Sequence, residues 1–189
     1  MSWLRSIELR GALVASVLLL SVAAAPAQDT PAKDMPEKGM SGGCESFKWP
    51  LDKERAAFDD DGLEKVGSGA ARGAWKEQAF ALALVPVADV AYALPPAKKK
   101  KDASGAQFGG MLAFAAPDRA GVYQVTLSAE GWIDLVQGGA ALGSADHSGA
   151  KNSPGLRKSV RFEVGAAPVV LQISGAPAQT IKIAIRPAE

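Results

Sequence analysis

From residue 79 to the C-terminus the chain is written in short apolar runs of strand length, separated by turns rich in Gly and Pro. Leu156–Val164 alternates cleanly, with Val160, Phe162 and Val164 on one face and Ser159, Arg161 and Glu163 on the other. Thr180–Arg186 repeats the pattern with Ile181, Ile183 and Ile185, and Val122–Ser128 does so with Tyr123, Val125 and Leu127. A period of two is the mark of a half-buried strand, because successive side chains point to opposite faces. Ala79–Val85, Val87–Leu94, Phe108–Ala115, Trp132–Gln137 and Val169–Ser174 complete the expected set. Gly138–Gly155, with five glycines, Pro154 and His147, reads as a long irregular stretch. No internal repeat stands out. Strands at this spacing with no helices between them predict an all-β fold, an antiparallel β-sandwich of jelly-roll-like type.

The pattern upstream is different. Phe47–Phe58 places Leu51, Arg55 and Phe58 at helical spacing, so one short N-terminal helix is expected there. Pro50 suits its first turn, Asp52 and Glu54 favour that end through the helix dipole, and Phe47 and Trp49 would dock it on the main body. Asp59-Asp60-Asp61-Gly62 has the look of a calcium loop, but the matching ligand positions hold Ala57 and Ser68, so it reads as an acidic turn.

Residues 1–27 read as a secretory signal peptide: Arg5 and Arg10, the apolar run Gly11–Val22, then Ala25-Pro26-Ala27 as a cleavage site. The run is about half the roughly 20 residues that span a bilayer, and no other stretch is long enough, so no membrane span is expected after cleavage. An uncleaved signal-anchor is the alternative. Cys44 lies far beyond the run rather than at its edge, which speaks against a lipoprotein. Residues 28–46 are expected to be a disordered tether, since Gln28–Gly43 has few apolar residues beyond Met35 and Met40. Residues 47–189 then form one β-sandwich domain in a periplasmic or secreted protein.

Loss of 1–27 removes Arg5, Arg10 and Glu8, so the 21 basic and 20 acidic residues of the whole chain fall to 19 each. A neutral mature chain argues against a nucleic-acid partner. Cys44 is the single cysteine and forms no internal disulfide; a free thiol or a bond to another chain remains open. The Lys98–Lys101 run is read as a solvated loop, with electrostatic docking as the alternative.

The stretch Phe108–Pro187 resembles exported β-sandwich modules of the bacterial pre-peptidase C-terminal type. The resemblance rests on Ala120-Gly121-Val122-Tyr123 leading into a strand and on Trp132-Ile133-Asp134-Leu135 in the next. LRKSVRFEV followed by VVLQISGAP also looks like uncharacterised exported proteins of proteobacteria. The resemblance implies a sandwich fold and an accessory role; such modules accompany secreted enzymes, and no enzyme domain is expected within these residues.

No catalytic residue is nominated. There is no G-x-S-x-G elbow and no H-E-x-x-H, and a single histidine, His147, excludes a histidine metal cluster. Asp146 and His147 are adjacent and point opposite ways in extended chain. Ser148 and Lys151 match S-x-x-K in letters only, among glycines that oppose the required helix. No cofactor is implied. Trp132 and Asp134 share a strand face; with Tyr123 on a neighbouring strand they would make an aromatic and carboxylate platform for a sugar or peptide. The competing reading puts the aromatic rings in the core and gives Asp134 a loop backbone to bond. The functional expectation is a non-enzymatic binding or accessory module acting on a glycan, a peptide or an envelope protein. The alternatives are a scaffold subunit of an envelope complex and, less favoured, a hydrolase using carboxylates alone.

Overall fold

The computed structural model describes residues 43–97 and 105–189. The expected signal peptide 1–27, residues 28–42 of the expected tether and the Lys98–Lys101 run lie outside the described residues. One helix, α1 (Asp52–Asp59), precedes twelve strands: β1 (Lys65–Gly67), β2 (Ala71–Ala74), β3 (Gln78–Ala83), β4 (Val85–Pro86), β5 (Phe108–Ala115), β6 (Gly121–Leu127), β7 (Trp132–Gln137), β8 (Ala140–Ala141), β9 (Ser144–Gly149), β10 (Lys158–Val164), β11 (Val169–Ala176) and β12 (Thr180–Pro187). They build two sheets, one in the order β1-β3-β12-β6-β10-β9, the other β2-β5-β11-β7-β8 with β4 also on β5. The fold is all-β and sandwich-like, with one short helix, as the alternation predicts. Its pairing is antiparallel except where β1 joins β3 and β2 joins β5 in parallel.

The two inner faces meet in one apolar core. Phe80, Leu82, Val125, Leu127, Val160, Phe162, Ile181, Ile183 and Ile185 come from the first sheet; Leu112, Phe114, Leu135, Val169, Leu171 and Ile173 come from the second. Each such side chain contributes on the order of 1.5–3 kcal/mol by leaving water. Trp75, fully buried just after β2, packs edge-on against Phe114 at 5.0 Å and Tyr123 at 6.2 Å.

Three expectations need correcting. The helix does not start at Phe47. Residues 47–50 are not helical, and the Lys48 N–H donates to Ser148 Oγ at 2.8 Å, tying this stretch to β9 instead. Val87–Leu94 is not a strand: after a 3-10 turn at Val87–Asp89 the chain crosses the outer face of the second sheet as a strap. Part of the stretch 138–155 is regular, because β8 and β9 lie there, with β9 on the edge of the first sheet against β10. The last residues of the expected tether are also placed. Cys44–Ser46 form a 3-10 turn in which Cys44 Sγ hydrogen-bonds Ser153 Oγ.

The N-terminal segment covers the outer face of the first sheet. Trp49, Leu51 and Phe58 bury against Leu156 and Ala184. The Trp49 indole N–H donates to Ser159 Oγ at 3.2 Å, and the Arg161 guanidinium lies 4.1 Å from the ring centre. Glu54 is fully buried beneath α1 and accepts from Gln124 Nε2 at 2.5 Å, with Arg186 Nη1 at 3.6 Å from its other oxygen.

Candidate functional site

Period two puts Ile133 and Leu135 of β7 into the core and turns Trp132 and Asp134 outward. On β11 the register sets Ser174 beside Trp132 and Gln172 beside Asp134, so all four share the outer face of the second sheet. Over that face runs the strap, residues 87–97. It is pinned at four points along its length. The Val87 N–H donates to the Gln107 carbonyl at 3.0 Å. The Tyr92 hydroxyl donates to the Ile173 carbonyl at 2.9 Å. The Gln172 side chain clasps Leu94, accepting from its N–H at 3.1 Å and donating to its carbonyl at 3.0 Å. The Ala97 N–H donates to Asp134 Oδ2 at 3.2 Å.

Gly109 of β5 makes the Tyr92 anchor possible. A Cβ there would stand 2.0 Å from the Tyr92 oxygen and 2.7 Å from the Ile173 carbonyl oxygen. Asp134 has two jobs, because its Oδ1 accepts from the Trp132 indole N–H at 2.8 Å while Oδ2 holds the strap. One carboxylate therefore fixes the indole and ties it to the strap. Burial, with the Asp134 charge as a smaller cause, pushes the Tyr92 hydroxyl up to about 12, so it stays a protonated donor.

Strap and sheet enclose a cleft of about 800 Å³. Val87, Ala88, Tyr92, Pro95 and Pro96 form the strap wall; Trp132, Ser174 and Gly175 line the sheet side; Gln107, Glu130, Gly131 and Lys158 complete the lining. Lys158 Nζ stands 4.6 Å from the Trp132 ring centre and donates to the Gly131 carbonyl at 3.2 Å. Glu130 Oε2 receives the Arg157 guanidinium at 3.0 and 2.7 Å. β11 bulges here: Ile173 pairs with Gly110, but the next β5 partner is Phe108, opposite Ala176. The skipped pair is Ser174-Gly175, and Gly175 takes φ +68°, a left-handed conformation that glycine tolerates. Ser174 is 5% exposed, and its hydroxyl has no hydrogen-bond partner among the described residues.

Of the three residues singled out in the sequence, two meet and one does not. Trp132 and Asp134 are hydrogen-bonded on one face. Tyr123 belongs to β6 in the other sheet, with its ring in the core and its hydroxyl donating to the Arg119 carbonyl at 2.8 Å. Tyr123 was expected on a strand neighbouring Trp132 and Asp134; instead β6 and β7 lie in different sheets. The sequence reading missed Tyr92, Pro95, Pro96, Lys158 and Ser174. The paired prolines bounding an aromatic segment were the one available signal. His147 and Ser148 sit on β9, away from the cleft, where Asp146 is held below the usual carboxylate range, chiefly by Lys48.

A second hollow, about 390 Å³, lies beside Cys44, Trp49 and Arg55. Among the described residues no cluster of three or more His, Cys, Asp or Glu is placed to hold a metal, and no helix is long and apolar enough to cross a membrane. No protein-family model, curated protein or solved structure matches the chain.

Proposed function

We propose that this protein is an exported, non-enzymatic binding module, and that the cleft beneath the 87–97 strap is its ligand site. One observation carries the reading: a buried hydroxyl, Ser174, has no partner among the described residues on the wall of a cleft of about 800 Å³. Small-molecule sites fall at about 300–1,000 Å³, with apolar walls and a few placed polar groups. A buried polar group left unmade costs about 1–3 kcal/mol, and such a cost calls for a reason. A ligand that bonds the hydroxyl supplies one.

Binding rather than catalysis is supported at the same atom. A nucleophilic serine needs a base within hydrogen-bond reach, and among the described residues none stands within reach of Ser174 Oγ. Export is supported by the sequence features of residues 1–27, and the resemblance to pre-peptidase modules favours an accessory role.

The test follows the indole N–H resonances of Trp49, Trp75 and Trp132 while small-molecule and peptide fragments are titrated. Trp49 and Trp75 are buried away from the cleft, so binding there moves the Trp132 signal selectively. If every fragment leaves Trp132 unmoved, the cleft is not the site.

A further inference from the structure

The charged groups at the cleft point to the class of its ligand by being occupied. Lys158 Nζ donates to the Gly131 carbonyl at 3.2 Å and stands 4.6 Å from the Trp132 ring centre. Glu130 Oε2 holds the Arg157 guanidinium at 2.7 Å. Asp134 is divided between the Trp132 indole N–H and the Ala97 N–H, and the Tyr92 hydroxyl is spent on the Ile173 carbonyl. None of these groups waits for a ligand. Ser174 differs: its hydroxyl is screened from solvent and has no partner among the described residues. Facing it, the strap presents the apolar surface of Val87, Ala88, Tyr92, Pro95 and Pro96. Resting on the binding reading above, we propose that the cleft takes an uncharged, largely hydrocarbon molecule with a single hydrogen-bonding head. That head, a hydroxyl or a carbonyl, bonds Ser174 Oγ while the apolar body lies against the strap wall.

The same occupancy sets this class apart from others. A ligand carboxylate or ammonium meets no unpaired counter-charge among the described residues, and burying it unpaired is costly. A sugar brings a ring of hydroxyls, and a peptide brings an amide at every residue. Those groups would give up water for one serine hydroxyl, and each polar group left unmade counts against binding. An extended peptide also lacks a strand edge to join at β7, whose two edges are taken by β11 and β8. A single head needs a single partner, and a serine hydroxyl, donor and acceptor at once, serves an alcohol or a ketone. The hydrocarbon body gains by leaving water.

The experiment compares different heads on one carbon chain. 1-Octanol, 2-octanone, octanoate and octylamine, with maltose as the polyhydroxy probe, are titrated into the protein while the indole resonances of Trp49, Trp75 and Trp132 are followed. The expected result is that 1-octanol and 2-octanone move Trp132 selectively, with a Kd below about 1 mM. Octanoate and octylamine bind at least about 10-fold more weakly, and maltose leaves Trp132 in place. Ser174→Ala weakens 1-octanol binding about 2- to 12-fold, the worth of one hydrogen bond. That variant removes no hydrogen bond found among the described residues, so it folds and stays interpretable. Octanoate or octylamine binding as tightly as 1-octanol, or maltose moving Trp132 while 1-octanol does not, overturns the uncharged apolar class and leaves the site standing. Binding of 1-octanol unchanged in Ser174→Ala overturns the assignment of its head to that hydroxyl. No movement of Trp132 with any probe overturns both the ligand class and the site.

Discussion

Gly109→Ala tests whether the strap is held as described. The new Cβ would stand 2.0 Å from the Tyr92 hydroxyl and 2.7 Å from the Ile173 carbonyl oxygen. The tyrosine side chain can swing away, but the carbonyl belongs to β11 and moves only with its strand. Expelling Tyr92 forfeits one hydrogen bond, about 1 kcal/mol, and the burial of a half-exposed ring, about 1 kcal/mol more. Displacing β11 adds about 1–2 kcal/mol of overpacking. The variant should therefore lose about 3–4 kcal/mol, measured as a shift of the urea midpoint at unchanged slope. The double-mutant cycle isolates the mechanism. Tyr92→Ala alone should cost about 2 kcal/mol, and adding Gly109→Ala to it only the strand component, so the two changes fall short of additivity by about 2 kcal/mol. Additive costs, within about 0.5 kcal/mol, would refute the claim that Tyr92 occupies the space left by Gly109.

Three further outcomes follow from the same geometry. Ser174→Ala removes a buried hydroxyl that has no partner among the described residues, so it should raise stability by about 1 kcal/mol, or about 2–4 °C in Tm, by calorimetry; a fall in Tm would mean that the hydroxyl is bonded in the free protein. Glu54→Ala strips the buried Gln124 amide of its acceptor and Arg186 of its nearest buried carboxylate, and should cost about 2–3 kcal/mol in urea, while Glu54→Gln restores most of it. The Tyr92 hydroxyl titrates near 12 in the folded protein and near its ordinary 10 when unfolded. The folded state therefore holds the proton more tightly, and Tyr92's contribution, intact below pH 10, is lost as pH rises from 10 to 12. Tyrosinate absorbance in a Tyr123→Phe background checks this, and a midpoint near 10 would contradict it.

The sandwich was legible because its inner faces alternate strictly. Val160, Phe162 and Val164, and Ile181, Ile183 and Ile185, are all buried as their spacing requires. The edge strand β9 was not, because Ser-Ala-Asp-His-Ser-Gly buries only Ser148 and is held by pairing to β10 rather than by apolar contact. The strap failed for the opposite reason. Its residues alternate as a strand's do, but Tyr92 and Leu94 spend their polar groups on Ile173 and Gln172 instead of on a ladder. No local signal marks a segment whose partners lie 78 and 81 residues away.

At the site, the period of two located Trp132 and Asp134 together, and the indole does bond the carboxylate. The loop-backbone bond expected of Asp134 exists as well, to Ala97. Tyr123 was misplaced because neighbouring strands in sequence need not share a sheet. Ser174 carries no mark in the sequence at all; only the register of β11 on β7, and the bulge that follows, bring it beside Trp132.

The most direct test of the central claim is the indole spectrum of Trp49, Trp75 and Trp132 under titration with small-molecule and peptide fragments. Selective movement of Trp132, abolished in Asp134→Ala, where the ring loses its hydrogen bond, is the predicted result. Saturating binding with the Trp132 resonance unmoved, or no binding of any probe, would contradict it.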